Sequence, residues 1–531
     1  MTNSENNPIT MQPAVPQNGM PPQPAAYAPP VYAVRPKRQY TFPQKLLALS
    51  MLLFGYLYMR AFFFTSANIG RTLFAWLLLA ASAAYMTHCK IRLNAASIVA
   101  GALTAAFSLM FTVGLSGLPS FLNSVFCQLS YTYFVYKAFD TSIERGPGEM
   151  FGFDLLKAVF VQPFSSFGAL FPAVFAPAKA GNKRVLRTVG LVLLGLLASV
   201  IPTVIVVSLL SFDSHFTSLL DRFFRFDLDA GTTVSHIASL ILGIPVAMYI
   251  FGLWASGTFG ANSGMNRASC AAFRERAHVL PQLLVFAAVT PVLAVYVLFF
   301  ISQFAYYTSA FTGVLPSGYS YAEYARSGFF ELCAVMAINS LIALFIHLFV
   351  RRSGKNVPAR VYTALIGVST LILAATAWAK MLLYVDTYGL TLSRVYTLWF
   401  MLAMALLFIV LLVKTVVPKT PFIPIALSIL LVLFGGLIFP NAPAAVSAYN
   451  TEKVLAGETW ELDEDYFWQL GEAAIPDAVR LEKSNCANAA TRAGATQFLD
   501  DYEKYGLSED EGVFAFSITR ARAERALAER E

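Results

Sequence analysis

Charge is what this sequence has least of. Asp, Glu, Lys and Arg make up 13% of its 531 residues, about half of what a soluble domain carries. The 38 Lys and Arg are outnumbered by 45 Phe, 57% of the chain is hydrophobic, and the mean hydropathy is +0.60. A chain with so little charge cannot keep most of its length in water, which excludes a soluble enzyme, a disordered scaffold and a nucleic-acid reader. Cysteine is also sparse. Cys89, Cys127, Cys270, Cys333 and Cys486 are scattered without a CxxC pair, so neither a zinc site nor a disulfide framework is indicated. The five histidines form no HxxxH pair. The runs at Gly260 to Gly264 and at Ser353 to Lys355 fall short of a nucleophile elbow and a phosphate loop. No catalytic residue, metal or cofactor is therefore expected.

What is present in abundance is long apolar runs. A bilayer core needs about 20 apolar residues per helical crossing, and eleven stretches approach that length: 46–64, 72–88, 95–115, 119–138, 188–211, 233–255, 281–306, 328–350, 361–384, 395–416 and 421–439. The fold expected is an all-α, polytopic membrane bundle. The fourth stretch is the weakest, because Gln128, Tyr131, Tyr133 and Tyr136 interrupt it. Residues 155–178 are apolar but broken by Pro163, Pro172 and Pro177, which suits an interfacial or re-entrant element better than a crossing. Residues 213–230 mix Phe and Leu with Asp221, Arg222, Arg225 and Asp227, as an amphipathic surface helix would.

The net charge of +7 conceals two regions of opposite sign. Residues 1–440 hold 29 Lys and Arg against 13 Asp and Glu, whereas residues 441–531 hold 9 against 18. The basic part is the membrane part, and its charges fall unevenly between the spans. With the N-terminus inside, 22 basic residues lie on the inner side and six (Arg71, Arg222, Arg225, Arg326, Lys380, Arg394) on the outer, the bias that retention of basic loops produces. Eleven spans then put the C-terminus outside.

Three regions follow. Residues 1–42, rich in Pro, Ala and Gln, lack the apolar bulk to offset their ordering entropy and read as a disordered cytoplasmic tail, or as a polyproline ligand for a partner. Residues 43–440 form the transmembrane domain. Residues 441–531 read as a small acidic, mainly helical extracytoplasmic module, with Asp463 or Asp465 and Ser517 at helix starts. The partners expected are the lipid bilayer and an envelope protein for this module, with no nucleic acid.

Polar side chains near the outer ends of spans seven to ten supply the candidate site: Tyr321, Glu323, Arg326, Glu331, Asn339, Lys380, Asp386 and Arg394. A charge inside a span costs several kcal/mol unless paired or hydrated, so Glu331 and Lys380 are expected to face protein, at similar depth on an antiparallel pair. Two readings stay open. One is an outward-opening pocket that binds or moves a small polar solute; the other is a structural network of ion pairs, interfacial tyrosines and a snorkelling Lys380. A sensor or assembly factor acting through residues 441–531 is a further alternative, and an enzyme acting on a lipid-linked substrate ranks below both.

The runs VYVLFFISQFAYYTSAFTGVLPSGYSYAEYARSGFFELCAVMAINSLIAL and YGLTLSRVYTLWFM, with AYNTEKVL and LDEDYFWQLGEAAIPDAV after Asn441, resemble the bacterial multi-pass family known as domain of unknown function 4173, related to 4153. The resemblance covers roughly residues 180 to 480. It implies a bacterial inner-membrane protein and places Tyr321, Glu323, Tyr324, Arg326, Gly328, Glu331, Tyr388, Gly389, Arg394 and Tyr396 in the family pattern, but it supplies no activity.

Overall fold

The computed structural model describes residues 40–64, 68–175, 230–260, 264–312, 329–351, 357–458, 460–485, 487–506 and 513–530. The first 39 residues, the stretch 188–211 and the amphipathic segment up to residue 229 lie outside this set. Among the described residues the chain is helical throughout, with no strand beyond one isolated bridge between Leu280 and Val350. Residues Thr41 to Glu531 form one compact unit.

The first half of the bundle is built from α1 (Phe42–Met59, continued by a π-helical turn Arg60–Phe64), α2 (Asn68–His88), α3 (Ala95–Val113) and α4 (Gly117–Ala138). A bent pair follows, α5 (Phe151–Ser165) and α6 (Phe167–Phe175), and then α7 (Ala230–Phe259). The short α8 (Arg267–Ala277) leads to the second half: α9 (Gln282–Thr312), α10 (Phe329–Phe349), α11 (Val357–Tyr388), α12 (Leu392–Val416) and α13 (Phe422–Ile438). Within each half the helices pack mainly on their own neighbours, α1 on α7 and α3 on α2 and α4 in the first, α11 on α9, α10 and α12 in the second. Aromatic contacts join the halves, with Phe434 of α13 stacked on Phe107 of α3 at 5.5 Å.

Local chemistry sets the helix ends. Asn94 caps α3 by accepting from the Ser97 amide at 2.8 Å, and Gly114 ends it at φ +91°, a conformation that suits only glycine without strain. Thr391 caps α12 in the same way.

Eight described helices are long and apolar enough to cross a membrane, or up to ten if each bent pair counts as one crossing. They answer to eight of the eleven stretches read from sequence. Of the other three, 188–211 lies outside the described residues, and 421–439 is the first limb of a pair that bends by 60° into α14 (Ala442–Leu455). The third, 119–138, folds as the 22-residue α4 but is not among the eight, because its polar side chains dilute its apolar surface. The proline-broken segment near 155–178 is α5 and α6, bent by 41° at Ser166, a broken span or re-entrant loop in form.

Beyond α14 come α15 (Glu464–Leu470), α16 (Ile475–Glu482), α17 (Ala489–Tyr505) and α18 (Ile518–Ala528). Asp463 caps α15 through the Tyr466 amide at 2.9 Å and Ser517 caps α18 through Arg520, as the sequence indicated. These helices share a core of Phe467, Ile475, Leu481, Phe498 and Leu499, against which Leu390, Leu392 and Val395 of the α11–α12 turn also pack.

Candidate functional site

Of the eight residues proposed from sequence, Tyr321, Glu323 and Arg326 lie outside the described residues. The other five lie on α10, α11 and α12. Glu331 is exposed in the first turn of α10, and Asp386 is exposed near the end of α11. Arg394, in the first turn of α12, donates to the carbonyls of Tyr388 (3.0 Å) and Gly389 and lies over the Tyr384 ring at 4.0 Å. It thereby closes the α11–α12 turn.

Lys380 is 8% exposed and shares the protein-facing side of α11 with Ala377 and Met381, which pack on Leu332 and Met336 of α10. Deeper in the same half, Tyr296 Oη donates to Asn339 Oδ1 at 2.6 Å and Asn339 Nδ2 donates to Thr370 Oγ1 at 2.9 Å, linking α9, α10 and α11. Thr370 and Lys380 are ten residues apart on one helix, about 15 Å along its axis. By the same measure Glu331 stands about 12 Å from the Asn339 level, so it shares a depth with Lys380. Among the described residues no ion pair joins the two.

A more enclosed site lies in the first half. A cavity of about 60 Å³ opens between α1, α2, α3, α4 and α7, with Phe62, Phe74, Phe111 and Leu253 in its apolar lining. That is room for a few water-sized groups, since one water needs about 10–15 Å³ by the same measure. Its polar lining comes from Tyr58, Thr104, Ser124, Gln128, Tyr131 and Thr132. Gln128 Nε2 donates to Tyr58 Oη at 2.8 Å; Tyr131 Oη meets Ser82 Oγ at 2.9 Å and accepts from Trp254 Nε1 at 3.3 Å. Among the described residues no Asp, Glu, Lys, Arg or His lines it. It can therefore offer hydrogen bonds and apolar contact, and no charge. Phe62 belongs to the π-helical turn that ends α1, a distortion frequent at functional sites.

Sequence reasoning did not single out this cavity, although its signal was visible. Gln128 and Tyr131, which weaken α4 as a span, line the wall, and polar groups inside a membrane bundle face a cavity or a partner rather than lipid.

The other two polar residues of that stretch serve a buried charge pair at the opposite end of α4. Lys137 Nζ lies 3.3 Å from Asp154 Oδ2, both side chains at 0% exposure. Asp154 also accepts from Tyr136 Oη at 2.5 Å and from the amides of Ile143 and Glu144, while Lys137 donates to the Glu144 carbonyl and faces the Tyr133 ring. The network ties the 140–150 loop to α4 and α5. Gln162 and Ser165 of α5 then bond to Leu253 and Ser256 of α7, so the bent pair is fixed at its base. Among the described residues no group of three His, Cys, Asp or Glu could hold a metal ion.

Neither a curated protein nor a solved structure matches the chain. Of the two related families named from the sequence, membership of 4173 is not shown. The other matches residues 48–481, which takes in the cavity, the buried pair and the α11–α12 turn, and the chain belongs to this family, described as Domain of unknown function (DUF4153).

Proposed function

We propose that this multi-pass membrane protein binds, and moves across the membrane, a small uncharged solute that forms hydrogen bonds. The carrying observation is the cavity between α1, α2, α3, α4 and α7. It has an amide and several hydroxyls in an apolar lining and, among the described residues, no ionisable group other than tyrosine and Cys127. A charged solute entering it would lose its hydration without an opposite charge in the lining, whereas a small alcohol or amide would exchange water for Gln128 and Tyr58. Lys380 and Asn339, with Glu331, Asp386 and Arg394, belong in this reading to a second polar layer in the other half. The bilayer is taken as the bacterial cytoplasmic membrane, with the N-terminus inside and the C-terminal helices outside, on the strength of the 22-to-6 bias of basic residues.

The test uses the full chain in liposomes and a panel of glycerol, urea and acetamide, followed by solute-driven swelling. At least one solute should enter several-fold faster than into empty liposomes, and Gln128→Leu should abolish the gain while leaving the unfolding temperature nearly unchanged. Equal rates for the whole panel with and without protein would defeat the proposal.

A second reading, an envelope sensor or assembly factor, is favoured by the bonds between the C-terminal helices and the α11–α12 turn. Asn450 of α14 accepts from the Leu390 amide and donates to the Leu390 carbonyl, both at 2.7 Å. A photo-crosslinker at the exposed Arg522 of α18 should then trap one discrete protein in cells; a smear would count against this reading.

A further inference from the structure

The segment that leads into α18 is built with its large apolar side chains turned outward. Phe514, Phe516 and Ile518 are 64%, 47% and 38% exposed, while Ala515, Ser517 and Thr519 between them are buried. In a water-facing segment the preference would be the reverse, with the large apolar groups inside.

Its position explains the inversion. The Ile69 amide donates to the Phe516 carbonyl at 3.3 Å and Asn68 Nδ2 donates to the Ala515 carbonyl at 3.3 Å, so the segment crosses the N-terminus of α2. Thr519 Oγ1 donates to the Val113 carbonyl at 2.6 Å and accepts from Asn441 Nδ2 at 3.1 Å, which ties the same segment to the end of α3 and the start of α14. A Cβ on Gly114 would stand 2.7 Å from Ser517 Oγ, so the approach depends on that glycine. Both α2 and α3 are helices able to cross the membrane, and these are their ends. The segment therefore lies at the level where hydrocarbon gives way to headgroups. At the same end of the bundle, near the end of α1 and the starts of α2 and α4, Phe63, Leu73, Leu118 and Phe121 are exposed apolar residues as well.

We propose that residues 514–518 form an interfacial anchor, with Phe514, Phe516 and Ile518 inserted into the headgroup and acyl boundary of the leaflet on the side of the C-terminal helices. Aromatic and aliphatic side chains at this depth are stabilised by burial in the boundary while the backbone stays bonded to protein. The occupant is lipid because the face continues the belt of spanning helices. Residues 441–531 carry 18 Asp and Glu against 9 Lys and Arg, so attraction to anionic headgroups is not the driving term. The anchor holds the C-terminal helices flat against the bilayer. It depends on the chain being embedded in a membrane and is independent of the solute reading.

The test places a coumarin-bearing amino acid at Phe516 of the full chain in phosphatidylcholine nanodiscs and compares two quenchers. Brominated acyl chains should quench it strongly and aqueous iodide weakly, to the same degree when anionic phosphatidylglycerol is added. Strong iodide quenching with no bromine effect would place the segment in water and overturn the proposal. Protection from both quenchers would mean that protein covers the face, a second copy for instance, and would also overturn it. A second variant, F514S/F516S/I518S, should leave bromine quenching of a reporter at Leu118 unchanged, which shows the bundle still embedded, yet raise protease cleavage after Arg522 several-fold; unchanged cleavage in a folded variant would overturn the anchoring role.

Discussion

Lys137 and Asp154 are two opposite charges removed from water, and their worth depends on what else reaches them. The carboxylate has four partners and the ammonium has the Glu144 carbonyl besides, so the desolvation of each is offset within the network. Removing one partner leaves the other charge buried, which costs about 3–5 kcal/mol. Asp154→Asn should therefore lower the unfolding temperature in detergent sharply, and Lys137→Met combined with Asp154→Leu should lower it less than Asp154→Asn alone. Equal losses would show that the pair acts through packing rather than charge. The sequence marked Lys137 as an inner-side charge, and that reading carried no hint of Asp154. The partner is brought in by a turn at 140–150, which local pattern does not specify.

A second charge cluster is only partly buried. Arg530 donates to both oxygens of Glu482 (2.9 and 2.7 Å) and to Asp500 at 2.6 Å. The Arg530 guanidinium holds the Glu482 carboxyl below the usual glutamate range, against the upward push of partial burial. A carboxyl whose folded pKa is depressed stabilises the fold above its unfolded value, and that contribution is lost as pH falls through the folded one. The protection of the α16 and α17 amides, their exchange rate relative to that of the unfolded chain at the same pH, should fall once the pH drops below about 4, where free glutamate titrates. Arg530→Ala should remove that acid-sensitive step while leaving exchange at pH 7 only slightly faster, since solvent screens the pair. An unchanged acid step in the variant would mean that other carboxylates cause it.

At the scale of elements, the crossing of α1 and α7 depends on two glycines. Gly55 and Gly243 face one another so closely that a Cβ on Gly243 would stand 2.7 Å from the Gly55 carbonyl carbon and from the Tyr56 amide nitrogen. Small residues let helix backbones approach in a bilayer, where packing replaces the hydrophobic drive between helices. Gly243→Val should force the helices apart, costing about 1–3 kcal/mol or more by overpacking, and should widen the wall that Val246, Tyr249 and Ile250 give the cavity. Unfolding in graded denaturing detergent would read the loss, and a variant as stable as the parent would contradict the contact. Apolar runs made the helices legible from sequence, and Asp463 and Ser517 made two of the later starts legible. Which glycine meets which was not legible, because the pairing joins residues 188 positions apart by chain number alone.

For the molecule as a whole, one end of the bundle collects the start of α2, the end of α3, the α11–α12 turn and the C-terminal helices. These are the ends assigned to the outer side by the scarcity of basic residues. The opposite end holds Lys137, Lys157, Arg267 and Arg274, with Glu144 and Glu149 as counter-charges to the two arginines. If the bias sets the orientation, alkaline phosphatase fused after Glu531 in bacteria should be active and a green fluorescent protein fused there dark. The opposite pattern would place the C-terminal helices in the cytoplasm and make the number of crossings even.

Composition alone determined that this chain is a helical membrane bundle, because so few charges over so many apolar residues leave lipid as the only medium that suits it. Eight of the eleven span positions and the helical character of the region after Asn441 were also legible in the sequence, since both depend on neighbours within one or two turns. Tertiary structure decided the rest. It turned the polar residues of α4 into a cavity wall at one level and the partners of a buried ion pair at another. It left Glu331 and Lys380 about 12–15 Å along their helices from the Asn339–Thr370 pair and placed the 514–518 segment across two helix ends. Each of these depends on residues distant in the chain meeting in space, and such meetings are set by packing and loop geometry, which local pattern does not encode.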